Sequence, residues 1–202
     1  HRGVKSLSNV GAERLGDALG ESIDDGAKLS IISSYFTVFA YGELKEELSK
    51  VDEVRFLFSE PTFIKRMADS KEPREFEVAR RAREVGVGGS GLELTLRNNL
   101  NQRALARECA EWIREKGVFK SAKTSGAIQP GGTYVVENPS GDDHAFMGAA
   151  ANFTQEGLGY ERRPGTVTCV SHFENATEAV GLKMMFESVW DNPAMVEEVT
   201  AQ

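Results

Sequence analysis

Chemistry in this 202-residue chain has to come from a short supply of reactive side chains. There are three histidines, His1, His144 and His172, and two cysteines, Cys109 and Cys169. His144 follows Asp142 and Asp143 in a polar run that reads as a turn. Carboxylates beside an imidazole suit a hard metal ion, but no second His or ordered carboxylate spacing completes such a site, so a solvated turn is expected. His172 stands in an apolar run (TVTCVSHF), where packing or a sheet edge is its expected role. Cys109 falls on the apolar face of a helix and Cys169 in that same apolar run. A nucleophilic thiol needs an activated thiolate, which an apolar setting opposes. GxSxG and P-loop patterns are absent. Residues 86–91 (GVGGSG) lack the full GxGxxG spacing and follow a helix rather than a strand, so no dinucleotide fingerprint is read there. Neither a metal nor a cofactor is expected. The informative segment is residues 148–159, GAAANFTQEGLG: small residues, then Asn152-Phe153-Thr154 and a Gly-Leu turn. Asn152 could position a phosphate, or bond its own backbone as a turn amide.

These residues must be held by a regular framework, and periodicity supplies one. Ala12, Leu15, Leu19 and Ile23 recur at spacings of three and four, which predicts a helix over residues 11–25. Residues 29–36 (LSIISSYF) read as a buried strand. Leu44 and Leu48 mark a second helix over 40–50, and residues 54–58 (VRFLF) a second strand. Strand–helix–strand order suggests a parallel crossover and an α/β domain. Pro73 opens a polar helix to about residue 84. Leu105, Cys109, Trp112 and Ile113 line one face of the best helix, 98–116. Residues 118–119, 133–137, 145–147 and 166–173 read as strands, with a turn at 138–143. A last helix over 174–190 turns Leu182, Met185, Phe186 and Val189 inward.

Composition narrows the class. Hydrophobic residues make up 40% and charged residues 27%, which excludes disorder for the chain as a whole. No apolar stretch is long enough for a membrane helix. The first residues carry no signal core, and two distant cysteines outside any CxxC pair fit a reducing, cytoplasmic setting. The acidic tail over 194–202 stops without a finishing signal, as in a domain excised from a longer chain. The net charge of −7 argues against a protein that coats nucleic acid. Its distribution changes that picture. Between Phe63 and Lys123 there are 14 Lys/Arg against 9 Asp/Glu, a net of +5, and the remainder holds 10 against 22, a net of −12. A segregated positive segment can face phosphate. Its candidates for nucleic-acid contact are Arg80, Arg81, Arg83, Arg97, Arg103, Lys120 and Lys123. A solvated helix face laced with Glu72, Glu75, Glu77 and Glu84 explains such charges equally well.

The Asn152-Phe153-Thr154 segment after a strand resembles the closing half of the phospholipase D motif, G-S-x-N-[LF]-T. LSIISSYF, the helix through Leu44 and Leu48 and VRFLF resemble that family's opening, and TVTCVSHF with the FESVW helix its close. The resemblance spans about residues 11–191. It implies an α/β fold, phospholipase D-like, with a central mixed β-sheet flanked by helices on both faces, as a single domain over 1–202. In that family a His attacks phosphorus, a second His protonates the leaving oxygen and Lys neutralises the phosphoryl charge. Aligned on Tyr134, the HxK positions are here Pro130 and Gly132, and Ala149, Ala150 and Ala151 stand where Ser is usual. The resemblance therefore implies a vestigial motif: Pro130, Gly132, Asn152 and Thr154 mark it, and no catalytic residue is expected. The stretch Arg97–Ile113 further resembles the amino-terminal domain of large Swi/Snf-type helicases found near restriction or defence genes. That implies an accessory role in contacting DNA or protein, with a helicase motor elsewhere in the same chain. The alternative is an active phosphodiesterase or nuclease of this fold, in which two chains pair to supply two His. A small-molecule-binding α/β domain is a third reading.

Overall fold

A computed structural model describes residues 3–61, 100–162, 165 and 168–199, with only the backbone of residues 100–102. The polar helix expected from Pro73 and the glycine break at 86–91 lie outside the described residues. So do Arg80, Arg81, Arg83, Arg97, Asn98 and Asn99.

Alternating side chains build the centre of the sheet. In β2 (Lys28–Ser33) Leu29 and Ile31 point to one face and Ile32 to the other; in β3 (Glu53–Phe58) Val54, Phe56 and Phe58 oppose Leu57. Both strands are buried on both faces, so helices must cover both. On the first face lie α1 (Leu15–Ser22), α2 (Val38–Leu48) and α3 (Leu100–Lys116). On the second lies α4 (Ala176–Trp190), which buries Phe186 and Trp190 against Ile32 and Leu57. The remaining strands are β1 (Val4–Leu7), β4 (Gly117–Ala122), β5 (Gly132–Glu137), β6 (His144–Gly148), β7 (Val170–Phe173) and β8 (Val196–Glu198). They form one eight-stranded sheet in the order β1-β7-β6-β5-β2-β3-β4-β8. β2, β3 and β4 run parallel and the other pairings are antiparallel. The expected α/β class with a mixed sheet and helices on both faces is what the chain forms.

Several boundaries differ from expectation. The helix expected over 11–25 is split into a single 3-10 turn (Gly11–Glu13) and α1 by Arg14, whose backbone is extended at φ −71° and ψ 135°. Asn9 adopts φ 62° and its Oδ1 accepts the Leu15 N–H at 2.8 Å, starting α1 afresh. Of the described part of the strand expected over 166–173, Thr168 and Cys169 stay outside β7, which begins at Val170. Within the acidic tail, Val196–Glu198 pairs with Lys120–Ala122 as an edge strand. Among the described residues, no helix is long and apolar enough to cross a membrane.

Candidate functional site

The carboxyl ends of parallel strands are where an α/β sheet presents its loops, and here the Asn152 segment arrives at that end. β5 starts beside the end of β2, and Gly132 pairs with Gly148, the last residue of β6. The turn after Gly148 then carries Asn152 onto the end of β2. Asn152 Oδ1 accepts from the Ser34 N–H at 3.0 Å and lies 3.1 Å from Ser33 Oγ. Ser33 Oγ accepts the Phe153 N–H at 2.9 Å, and its one proton is shared between Asn152 Oδ1 and the Tyr35 carbonyl at 2.7 Å. Phe153 bridges to Phe36, and its carbonyl accepts the Thr37 N–H. Asn152 is thus a long-range clamp on β2. The expected turn amide bonding its own backbone is not what forms, because the exposed end of β2 offers an unpaired N–H that a local turn does not. Replacing Asn152 by Ala leaves that N–H without its acceptor, while the Ser33 hydroxyl keeps the Tyr35 carbonyl. We expect a loss of about 1–3 kcal/mol in urea-unfolding free energy, with Asn152→Asp, which keeps the acceptor, losing less.

Thr154 serves the turn itself: its Oγ1 accepts the Gly157 N–H at 2.9 Å, and its carbonyl accepts the Leu158 N–H. Pro130 is exposed just ahead of β5. Gly132 is buried, and a Cβ added there would fall onto the backbone carbonyl of Ala151. Gly131, at φ 128°, meets Gly148 O in the same way at 2.9 Å. The Ala151 carbonyl is fixed in that place by Tyr134, whose hydroxyl donates to it at 2.6 Å. Complete burial raises the Tyr134 phenol far above its ordinary value, so this donor keeps its proton at any working pH.

Other polar groups at this end are the Ser34 and Ser59 hydroxyls, 2.6 Å apart, and Glu60, whose carboxylate accepts from Ser125. Tyr35 lies beside them, its phenol raised by burial and by the Glu60 carboxylate. Asn152 is half-buried, and among the described residues its Nδ2 takes no protein acceptor. No described histidine lies at this end. His144 opens β6 whereas Gly148 closes it, so the imidazole is about 14 Å from the turn. The imidazoles do meet each other: His144 Nδ1 and His172 Nε2 are 3.0 Å apart across β6 and β7. His144 is therefore no solvated turn residue; it is a strand residue whose side chain is only 15% exposed. Cys109 is fully buried in the core and Cys169 is exposed. Among the described residues, no three or more His, Cys, Asp or Glu are grouped to hold a metal ion.

Of the described basic candidates, Arg103 is exposed in the first turns of α3, and Lys123 is exposed just past β4, at the carboxyl end of the sheet. Lys120 points elsewhere. Its ammonium donates to the Trp190 carbonyl at 3.0 Å and lies 4.5 Å from that indole's centroid, which commits it to holding α4. Sequence reasoning passed over Ser33, Ser34 and Ser59, although the SSYF run was a usable signal for a polar strand end.

No family model matches the chain, and no curated protein sequence matches it. Among solved structures it is similar to a phospholipase D family member, Nuc from Salmonella typhimurium, with a TM-score of 0.48, 12% identity and 96% of each chain covered. It is likewise similar to NucT from Helicobacter pylori, with a TM-score of 0.43 and 13% identity over 96% of this chain and 98% of that one.

Proposed function

We propose that this chain is a phospholipase D-like domain without phosphodiester-cleaving activity, acting as a nucleic-acid-contacting accessory module of a helicase or translocase. The observation that carries the first half is at Gly132. The position aligned with the motif Lys holds no side chain, and the Ala151 carbonyl fills the space one would need. An attack on phosphorus needs a nucleophile and a cation at one point. The carboxyl end of this sheet offers hydroxyls, an amide and the exposed Cys169, whose backbone lies beside Gly148, but, among the described residues, no imidazole. The second half rests on the segregated positive charge, with Arg103 and Lys123 at that same end, and on the helicase-like stretch Arg97–Ile113.

Two measurements test the proposal. Fluorescence anisotropy with single- and double-stranded DNA should show binding that weakens about a hundredfold between about 50 and about 200 mM salt, as four phosphate contacts require. Charge reversal at Arg103 and Lys123, and separately at Arg80, Arg81 and Arg83, should weaken it further. No binding at micromolar protein would leave a protein-contact role. Incubation with bis-p-nitrophenyl phosphate and plasmid DNA should give no turnover. Hydrolysis that survives extensive purification would establish the active-nuclease alternative.

A further inference from the structure

Of the two described histidines, His144 opens β6 away from the candidate site and His172 lies opposite Phe146 at the middle of that strand, and nothing in the proposed function uses them. His144 Nδ1 and His172 Nε2 are 3.0 Å apart. The ring centroids are 5.3 Å apart, so their separation exceeds that of the nitrogens by about one ring width and the imidazoles point at each other end to end. Two lone pairs holding one metal ion must converge on a point to the side; end-to-end rings instead place a proton between them. His172 is stacked on the buried ring of Phe146, with centroids 4.1 Å apart. Asp142 Oδ1 lies 3.4 Å from the outer nitrogen of His144. The other charges acting on His172 are Lys5, its partner on β1, and Glu174 just past β7. On α1, which packs against β6, Asp17 is taken up by the Tyr160 hydroxyl and Glu21 is exposed.

We propose that His144 and His172 form a proton-sharing latch that holds the β1–β7 edge of the sheet closed and releases it in acid. A neutral imidazole has one N–H and one lone pair, and the contact needs one of each. One added proton leaves that intact, because an imidazolium still donates to its neutral neighbour. A second puts two N–H groups and two positive charges face to face, and the contact is lost. The edge it spans is weakly held otherwise. β1 is exposed at three of its four residues and, among the described strands, pairs with β7 alone; β7 pairs with β6 over three residues.

The sign follows from proton counting. Burial, then the neighbouring His144, lower His172 from 6.5 to about 4. Below pH 6.5 the opened edge takes up a proton that the closed edge refuses until about pH 4, so closure is fully favoured above 6.5 and is lost across that window.

Amide exchange on the whole chain, corrected for intrinsic rates, tests this. Protection of Lys5, Leu7 and Ser171 should fall by up to about tenfold per pH unit between 6.5 and 4, the slope of one proton, while β2 and β3 keep theirs. His172→Gln should abolish that slope. Equal protection of β1 at pH 7 and pH 4.5 would overturn the latch and leave rings that merely turn outward. Imidazole 15N shifts of the wild type give a check that needs no variant. His172 should remain neutral well below pH 6, and titration of both rings at the ordinary histidine value would also overturn the proposal.

Discussion

Gly132→Lys is expected to lose about 3 kcal/mol or more of stability, at the upper end of what overpacking costs. Under the proposed function, Lys is the residue type that a phospholipase D motif would place here, which makes the expected failure informative. A Cβ at this position falls onto the Ala151 carbonyl, and a backbone atom cannot turn aside as a flexible side chain can. That carbonyl is held from behind by the Tyr134 hydroxyl, and its neighbour Asn152 is clamped to Ser33 and Ser34. To admit any side chain, the turn after β6 must give up those bonds together. Gly132→Ala should therefore cost nearly as much as Gly132→Lys, since the clash begins at Cβ. A much smaller loss for Ala would mean the turn moves easily and that the space is recoverable. The double variant Pro130→His with Gly132→Lys should show no hydrolysis of bis-p-nitrophenyl phosphate. Urea unfolding read by the Trp112 and Trp190 fluorescence gives the stabilities.

How far the sequence reveals this arrangement depends on how local each feature is. β2 and β3 are legible because LSIISSYF and VRFLF are apolar runs with turn residues around them. The helix through Leu105, Cys109 and Trp112 is legible because its apolar stripe repeats, and Cys109 and Trp112 are indeed buried. β1 and β8 are not legible, because VKSL and VEE have no periodicity and become strands only where β7 and β4 offer a free edge. The absence of a side chain at Gly132 can be read from the sequence. Its physical reason cannot, since the Ala151 carbonyl is brought there by the antiparallel register of β5 and β6. The His144–His172 contact is of the same kind. It spans 28 residues and depends on Phe146 pairing with His172. Arg55 did carry a signal, as a lone charge within VRFLF. Alternation places it on the face of Leu57, opposite Val54 and Phe56, but only the fold shows what meets it there.

Arg55 is 5% exposed, and what meets it gives the second large expected effect. Its guanidinium forks onto Glu187 of α4, with bonds of 2.6 and 2.9 Å, and donates to Ser30 Oγ through Nε and the second amino nitrogen. It lies 4.7 Å from the Phe186 ring centroid and 5.6 Å from that of Trp190. It is also 3.9 Å from Glu137, whose Oε2 is buried with no hydrogen-bond partner and whose Oε1 accepts from Lys183 at 2.8 Å. One cation therefore joins β3 to α4 and offsets two carboxylates. Arg55→Ala removes it, which strips Glu187 of its guanidinium partner and leaves Glu137 with Lys183 alone. Breaking a buried pair from one side costs about 3–5 kcal/mol, and since the Glu187 side chain is 35% exposed we expect the lower end, about 3 kcal/mol. For a chain of this size that is a fall of roughly 6–12 °C in Tm. Arg55→Lys keeps the charge but not the fork, and should lose less. Arg55→Met combined with Glu187→Leu should recover part of the loss, because it removes the Glu187 charge while Glu137 keeps Lys183. Acid gives an independent handle. Hydrogen bonding from Arg55 holds the Glu187 carboxyl below its ordinary value of 4.5, so its contribution is present above that pH and is lost as pH falls through the lowered value. Arg55→Ala should remove that part of the acid sensitivity while leaving the His172 part, which sets in at higher pH. A variant within about 1 kcal/mol of wild type, the range of surface ion pairs, would mean that apolar packing of Phe186 and Trp190 alone seats α4.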